Sequence, residues 1–171
     1  MQFYEVLEKR HSCREFSDKP IEPEKLQNIL NTVASCPTAG NLQAYKVYVV
    51  RSKETREALA QAALGQNPVI QAPIVLVFCA DKDHSGKKYG ERGEELYALQ
   101  DATIAASYSQ LAAEAEGLSS VWVGAFEPLE VSYILKTEAA VVPIALIPIG
   151  YRNGPVRVTQ RRPLEEIVKE V

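Results

Sequence analysis

The stretch IVLVFCA, residues 74–80, decides the fold class of this chain. Its β-branched and aromatic residues predict a β-strand. Runs of the same type predict three further strands, at Lys46–Val50, Ser120–Val123 and Ile144–Ile149. Four strands mixed with five or six helices indicate an α/β or α+β domain. We expect residues 1–171 to form one such domain.

Helices are predicted where apolar residues recur every three or four positions. In one of them, Leu26, Ile29 and Val33 define the buried face, and Pro23 suits the first turn. The longest predicted helix is rich in Ala and ends at Gly117. The predicted helices are residues 2–9, a segment that begins near Pro23, Glu54–Leu64, about Glu94–Glu116 and Leu129–Leu135.

Two segments lack a helical or strand pattern. The sequence DKDHSGKKYGERG at 81–93 is charged and contains glycine, which predicts a mobile surface loop. Residues 151–162 have no helical period and few apolar residues, and only Leu164, Ile167 and Val168 restore a helical stripe. We expect this tail to lie across a second copy of the chain. The alternative is a frayed terminus.

Composition limits the classes of partner. Apolar residues make up 46% of the chain and charged residues 24%, as in a globular protein. The net charge of −3 gives no reason to expect nucleic acid or an anionic membrane. No apolar run reaches the roughly 18 residues that span a bilayer, and the N-terminus is charged where a signal peptide is apolar. We therefore expect a cytoplasmic protein.

The cysteines predict neither disulfides nor a metal site. Cys13, Cys36 and Cys79 are odd in number and far apart, so we interpret them as reduced thiols. His11 and His84 do not supply the missing ligands of a zinc site.

A basic segment follows the first predicted helix. In Arg10-His11-Ser12-Cys13-Arg14, two guanidiniums flank a hydroxyl, a combination that binds phosphate through charge-assisted hydrogen bonds. The alternative is that these cations only complement the helix dipole. A second basic pair, Arg161-Arg162, precedes the helical stripe of the tail; solvated surface arginines are the alternative there.

A loop of small polar residues, PTAGNLQAY at 37–45, separates the second helix from the first strand. It offers hydroxyl and amide groups without bulk, which suits a planar heteroaromatic ligand or its polyol. On an extended backbone the side chains of Asn41 and Gln43 would point the same way. An ordinary connecting loop is the alternative.

The order of these motifs is more specific than any one of them. R-x-S-x-R at 10–14, P-T-x-x-N-x-Q at 37–43, W-V-G-x-F at 122–126 and an Arg before PLEE at 163–166 resemble the nitroreductase family of flavoproteins. The resemblance runs from Phe3 to Val168. It implies an α+β fold with a mixed, mostly antiparallel sheet flanked by helices. It also implies an intertwined homodimer in which the 151–171 tail embraces the partner subunit.

The resemblance implies an FMN site at the subunit interface. One group of residues would hold the phosphate and ribityl chain: Arg10, Ser12 and Arg14, with His11 adjoining. A second group would come from the other subunit and pack against the isoalloxazine: Pro37, Thr38, Ala39, Asn41 and Gln43. Backbone N–H groups of Gly124 and Ala125 would face the flavin N5. Arg161, or Arg162 in its place, would reach the phosphate.

The resemblance further implies an oxidoreductase that takes hydride from NADH or NADPH and reduces nitroaromatics, quinones or related acceptors by a ping-pong, two-electron mechanism. The sequence offers no protein acid, base or nucleophile for this reaction, since FMN supplies the redox chemistry. Two alternatives remain: an FMN enzyme of the same superfamily with different chemistry, such as flavin cleavage or dehalogenation, and a flavin-binding or storage protein without turnover.

Overall fold

Four strands form a single sheet in the computed structural model, which describes residues 1–171. The strands are β1 (Tyr45–Val50), β2 (Ile74–Asp81), β3 (Ser119–Ser120) and β4 (Val141–Gly150). Their order in the sheet is β1-β2-β4-β3, and all three pairs are antiparallel. Ser12 adds one parallel bridge to Ser120 at the β3 edge. The predicted mixed, mostly antiparallel α+β fold is therefore confirmed.

Helices cover both faces of this sheet. They are α1 (Phe3–Lys9), α2 (Pro23–Ala34), α3 (Lys53–Ala62), α4 (Asn67–Gln71), α5 (Lys82–Arg92), α6 (Ala98–Ala115), α7 (Pro128–Leu135) and α8 (Leu164–Ile167). A 3-10 turn occupies Ala39–Asn41, and a π-helical turn, Gly93–Tyr97, leads into α6. None of the helices combines the length and apolar composition needed to cross a lipid bilayer.

The central strand β2 is apolar throughout because both of its faces are buried. Val75 and Val77 pack into one core, with residues of α3, α4 and α7, whereas Leu76 and Phe78 pack into the other, with residues of α2 and α6. Successive side chains of a strand point to opposite faces. A polar side chain at any position of this run would therefore enter one of the two apolar cores.

Several predicted elements are confirmed with small shifts of their ends. Pro23 is in the first turn of α2, and Leu26, Ile29 and Val33 are buried on it. In α1, by contrast, Val6 alone is buried. The predicted strand Ser120–Val123 is shorter than expected: regular pairing ends at Ser120, and Val123 forms an isolated bridge to Leu146. Helix α4 was not predicted.

The prediction of a mobile loop at 81–93 is wrong. The segment forms α5, and the Asp81 carboxylate caps it by accepting a 3.1 Å hydrogen bond from the His84 N–H. Its glycines allow close packing: a Cβ on Gly93 would lie 2.6 Å from the Ser85 carbonyl oxygen. Glycine therefore marks a tight contact between α5 and the π-helical turn.

Candidate functional site

The segment after α1 folds back along the end of the sheet. The Cys13 N–H donates to the Ser120 carbonyl over 2.9 Å, next to the Ser12–Ser120 bridge. Farther along, the Ser17 N–H donates to the Tyr151 carbonyl, and the Asn153 N–H donates to the Glu15 carbonyl, each over 2.9 Å. These long-range pairings bring the residues after α1 beside those after β4.

The two segments enclose a polar cleft of about 580 Å³, which we call the cationic cleft. Three guanidiniums line it together with hydroxyl and amide side chains: Arg14, Arg152, Arg157, Ser12, Gln66, Asn67 and Gln71. Glu15 is the one carboxylate among the lining residues. Val121, Trp122 and Val123 form part of its wall.

The arginines of the cationic cleft form no ion pairs within the chain. None of the ion pairs in the chain includes Arg14, Arg152 or Arg157. Arg152 donates one hydrogen bond of 3.3 Å, to the Ser119 hydroxyl. Because unneutralised guanidiniums at a cleft favour an anion, this arrangement suits a phosphate or carboxylate ligand.

Arg10 and His11 lie beside the cationic cleft but do not line it. The His11 Nδ1 is 2.8 Å from the Lys9 carbonyl oxygen. Burial raises the pKa of the Glu114 carboxyl on α6, while the positive charges of Arg152 and Arg10 act in the opposite direction. Glu114 thus lies among these cations without forming an ion pair with any of them.

A second cleft, of about 600 Å³, lies between the 37–39 loop and the start of α6; we call it the α6 cleft. Its lining residues are Pro37, Thr38, Ala39, Tyr97, Leu99, Gln100, Asp101, Thr103 and Ile104. None of these lines the cationic cleft. Within one chain, the structure therefore assigns Ser12 and Arg14 to one cleft and Pro37, Thr38 and Ala39 to the other.

A buried carboxylate holds the loop of the α6 cleft. Asp101 is 1% exposed; one of its oxygens accepts from the Ala39 N–H over 2.9 Å and the other from the Ala44 N–H over 3.4 Å. Because two backbone donors of the loop end on one helix residue, the loop keeps a fixed position against α6.

The expectation of an extended backbone at Asn41 and Gln43 is wrong. Both residues have a positive φ, of 57° and 49°. Their side chains nevertheless meet, since the Gln43 amide donates to the Asn41 Oδ1 over 2.7 Å. The Gln43 backbone N–H donates to the Thr38 hydroxyl over 3.1 Å. These bonds close the loop on itself, and neither Asn41 nor Gln43 lines either cleft.

The predicted turn at Gly124 and Ala125 follows the wall of the cationic cleft. Both residues are exposed, and neither backbone N–H donates a hydrogen bond within the chain. The Ala125 carbonyl accepts from the Gln66 side chain over 3.0 Å, which ties the turn to another residue of the cleft. Two unpaired donors at the edge of a cleft are available to a ligand.

The basic pair of the tail lies outside both clefts. Arg161 and Arg162 are exposed and line neither cleft. Arg162 pairs with Glu166 within the tail, with Nε and Oε2 separated by 3.0 Å. The structure of one chain therefore does not bring these two arginines to Ser12 and Arg14.

The sequence patterns missed several residues of the clefts, chiefly Arg152, Arg157, Gln66 and Asp101. Arg152 and Arg157 lie in a segment without periodicity, so no local pattern marks them. For Asp101 a signal does exist, because a carboxylate in the Ala-rich α6 must lie in solvent or accept hydrogen bonds from specific donors.

Comparison with known proteins identifies the family of this chain. The model of the nitroreductase family matches residues 7–83 and 69–151. An NADH dehydrogenase of Thermus thermophilus is 31% identical, over 94% of this chain and 91% of that protein. An FMN reductase [NAD(P)H] of Bacillus subtilis is 32% identical, over 94% of this chain and 70% of that protein.

Solved structures show the same fold. The hypothetical oxidoreductase YcnD of Bacillus subtilis superposes with a TM-score of 0.90 at 28% identity, over 98% of this chain and 73% of that one. NfrA2 of B. megaterium superposes with a TM-score of 0.91 at 26% identity, over 99% and 74%. On the family match, these relatives and the shared fold, the chain belongs to the nitroreductase family.

Proposed function

We propose that this protein is an FMN-dependent oxidoreductase that uses NADH or NADPH and reduces nitroaromatic, quinone or related acceptors in a ping-pong cycle. The observation that carries the proposal is the cationic cleft, which three guanidiniums without ion-pair partners line together with Ser12. The similarity to the FMN reductase [NAD(P)H] of Bacillus subtilis supports the choice of cofactor.

The residues of the cationic cleft fit the phosphate end of FMN. Arg14 and Ser12 are proposed to hold the phosphate by charge-assisted hydrogen bonds, with Arg152 and Arg157 adding positive charge from the segment after β4. Arg10 and His11 adjoin this site. Gln66, Asn67 and Gln71 offer amide groups of the kind that pair with a polyol such as the ribityl chain.

The ring system is proposed to lie next to the Gly124–Ala125 turn. Two backbone N–H groups without internal acceptors are available there, and they are neutral donors that cannot be lost by titration. Such donors stabilise negative charge that develops on a ligand during reduction, because they are already oriented before the reaction.

We propose that each site is shared between two copies of the chain. Pro37, Thr38 and Ala39 line a different cleft from Ser12 and Arg14, so a ligand that contacts both groups must bridge two subunits. Asn41 and Gln43 extend the same loop. In this arrangement the tail, 151–171, which is exposed from Pro155 onward, embraces the partner and brings Arg161, or Arg162, to a phosphate.

FMN, when bound in the cationic cleft, would supply the redox chemistry, a two-electron transfer from the nicotinamide to the acceptor. The chain's own contribution is to bind and orient the reactants. Cationic residues neutralise the phosphate, and the turn at Gly124 orients backbone N–H donors toward the ring. The loop that Asp101 anchors forms the second wall of the site. We assign no protein acid, base or nucleophile, since neither cleft contains a buried titratable pair.

The experiment that tests this function is anaerobic reduction of the purified protein. We expect a yellow protein that releases FMN, and not FAD, on denaturation, and whose visible absorbance is bleached rapidly by NADH or NADPH. A colourless protein that gains no flavin on incubation with FMN would overturn the proposal. A yellow protein that neither nicotinamide reduces would instead indicate flavin binding without turnover.

A further inference from the structure

Helix α5 and the π-helical turn carry a cluster of aromatic and cationic side chains beside the α6 cleft. We call Lys88, Tyr89, Arg92 and Tyr97 the Tyr–cation cluster. The rings of Tyr89 and Tyr97 meet edge to face, with centroids 5.1 Å apart and an interplanar angle of 88°. Tyr97 is itself a lining residue of the α6 cleft, so the cluster continues the wall of that cleft.

Both cations of the cluster are held against the rings. The Arg92 Nε donates to the Tyr97 hydroxyl over 3.0 Å, and its guanidinium lies 5.4 Å from the centre of the Tyr97 ring. The Lys88 ammonium lies 5.3 Å from the centre of the Tyr89 ring. These contacts orient the charges without neutralising them.

The cations also remain free of carboxylates. None of the ion pairs in the chain includes Lys88 or Arg92, although Glu91, Glu94 and Glu95 are near in sequence. Lys88 and Arg92 are exposed and lie on either side of Gly90, whose φ of 57° and ψ of −147° interrupt the helix. The edge-to-face contact between Tyr89 and Tyr97 keeps the two positive charges in one cluster.

The cluster closes over the loop that forms the other wall. At Gly40, a Cβ would overlap the Tyr89 hydroxyl and lie 2.7 Å from the Lys88 Nζ. Gly40 also has a φ of +57°, a conformation that L side chains rarely adopt. In the first turn of α5, the His84 ring Nε2 is 3.0 Å from the Leu42 carbonyl oxygen. Helix α5 is therefore fixed to the 37–43 loop at two places.

We propose that the Tyr–cation cluster is a specificity site for an aromatic ligand that carries an anionic group. The two tyrosine rings offer an edge and a face for an aromatic ring, while Lys88 and Arg92 offer charge-assisted donors to a carboxylate or phosphate. The proposal rests on the proposed function, since it assigns the ligand class of the same site. Two ligands share this chemistry: an anionic aromatic acceptor, and the phosphorylated donor NADPH.

The test compares matched ligands on the flavin-loaded protein. The acceptors are 4-nitrobenzoate and its neutral analogue 4-nitrobenzamide, and the donors are NADPH and NADH. In the K88A/R92A variant we expect kcat/KM for the member with the extra anionic group, 4-nitrobenzoate or NADPH, to fall about tenfold or more in one pair, the scale of a lost charge-assisted hydrogen bond. The member without that group, 4-nitrobenzamide or NADH, should change by less than about twofold.

Selective loss with 4-nitrobenzoate would assign the site to the acceptor, and selective loss with NADPH would assign it to the donor; both support the proposal. Isothermal titration calorimetry of the same ligands should show the same selective loss of affinity. Lys87→Ala is the control, because Lys87 is exposed on the same helix and takes no part in the ring contacts. Equal changes for the two members of each pair, or no change, would overturn the proposal.

The two proposals fail in different ways. If the proposed function is wrong, the unmodified protein contains no FMN or is not reduced by either nicotinamide. If only the cluster is wrong, the unmodified protein turns over, and K88A/R92A keeps its FMN and its preference between the matched ligands.

Discussion

The cationic cleft and the α6 cleft are similar in size but are built in opposite ways. The first joins segments from the two ends of the chain and is lined by Arg14, Arg152 and Arg157. The second is formed by a loop fixed to one helix by a buried carboxylate, and Pro37, Leu99 and Ile104 are among its lining residues. The cationic cleft therefore suits a charged group, and the α6 cleft suits an aromatic ring. A ligand with both parts would need both clefts.

The largest effect, on the free energy of unfolding, is expected for Asp101, which holds the loop of the α6 cleft. Asp101→Ala removes the acceptor of two backbone hydrogen bonds and leaves the Ala39 and Ala44 N–H groups without a partner. We expect the free energy of unfolding to fall by about 3 kcal/mol or more, measured by urea denaturation. Gln100→Ala, an exposed change on the same helix, should stay within about 0.5 kcal/mol of the parent. A loss below about 1 kcal/mol for Asp101→Ala would mean that the carboxylate does not hold the loop.

The next effect concerns the charge of the cationic cleft. Arg14→Ala should weaken FMN binding by about 1.5–3 kcal/mol, the range for a hydrogen bond to a charged group. Fluorescence titration with FMN measures this loss directly. Arg51→Ala provides the control, because Arg51 is exposed and lines neither cleft. Equal affinity in the two variants would exclude Arg14 from the phosphate site.

A smaller effect distinguishes the rate of flavin reduction from the affinity for FMN. Ala125→Pro removes one backbone N–H from the turn after the cationic cleft. We expect the rate at which NADH or NADPH bleaches the flavin to fall about tenfold, with a smaller change in FMN affinity. Ala125→Gly keeps the N–H and should retain the parent rate. If the proline variant reduced as fast as the parent, the turn would not contact the reacting part of the ring.

The smallest effect is a pH dependence at Glu114, a residue of α6 that feels the charges of Arg152 and Arg10. Burial raises the pKa of Glu114 above its ordinary value, so its ionised form is less stable in the folded state. A raised carboxyl pKa adds stability below the unfolded pKa, and that stability is lost as the pH rises through the folded value. Glu114→Gln should therefore raise the urea midpoint at pH 7 and leave it unchanged near pH 4. Because Glu114 is partly exposed, we expect less than about 1 kcal/mol. A lower midpoint at pH 7 would show that Arg152 and Arg10 outweigh burial.

The sequence predicted the sheet and the main helices because their patterns are local. The buried run in β2 and the apolar face of α2 are visible in a few consecutive residues. Helix α5 was missed because its charged residues and glycines resemble a loop, while its cap at Asp81 and its contact at Gly93 depend on the folded chain.

The candidate site likewise contains residues that local patterns predict and residues that only the folded chain brings together. Ser12, Arg14, Pro37, Thr38 and Ala39 could be predicted from ordered motifs, and the structure places them in the two clefts. In contrast, Arg152 and Arg157 reach the cationic cleft only because the chain after β4 pairs with residues 15–17. Such pairing joins residues far apart in sequence and leaves no periodic signal.

The central claim, that one site needs both clefts from two subunits, is tested most directly by mixing two defective variants. Arg14→Glu reverses a charge in the cationic cleft, and Pro37→Trp obstructs the exposed edge of the α6 cleft. In a mixed dimer with shared sites, one site carries both changes and the other carries neither. After co-refolding of equal amounts, about one quarter of all sites should be intact, so FMN binding and NAD(P)H turnover should recover to roughly that fraction of the parent. No recovery above the two separate variants, once mass spectrometry shows mixed dimers, would contradict the shared site.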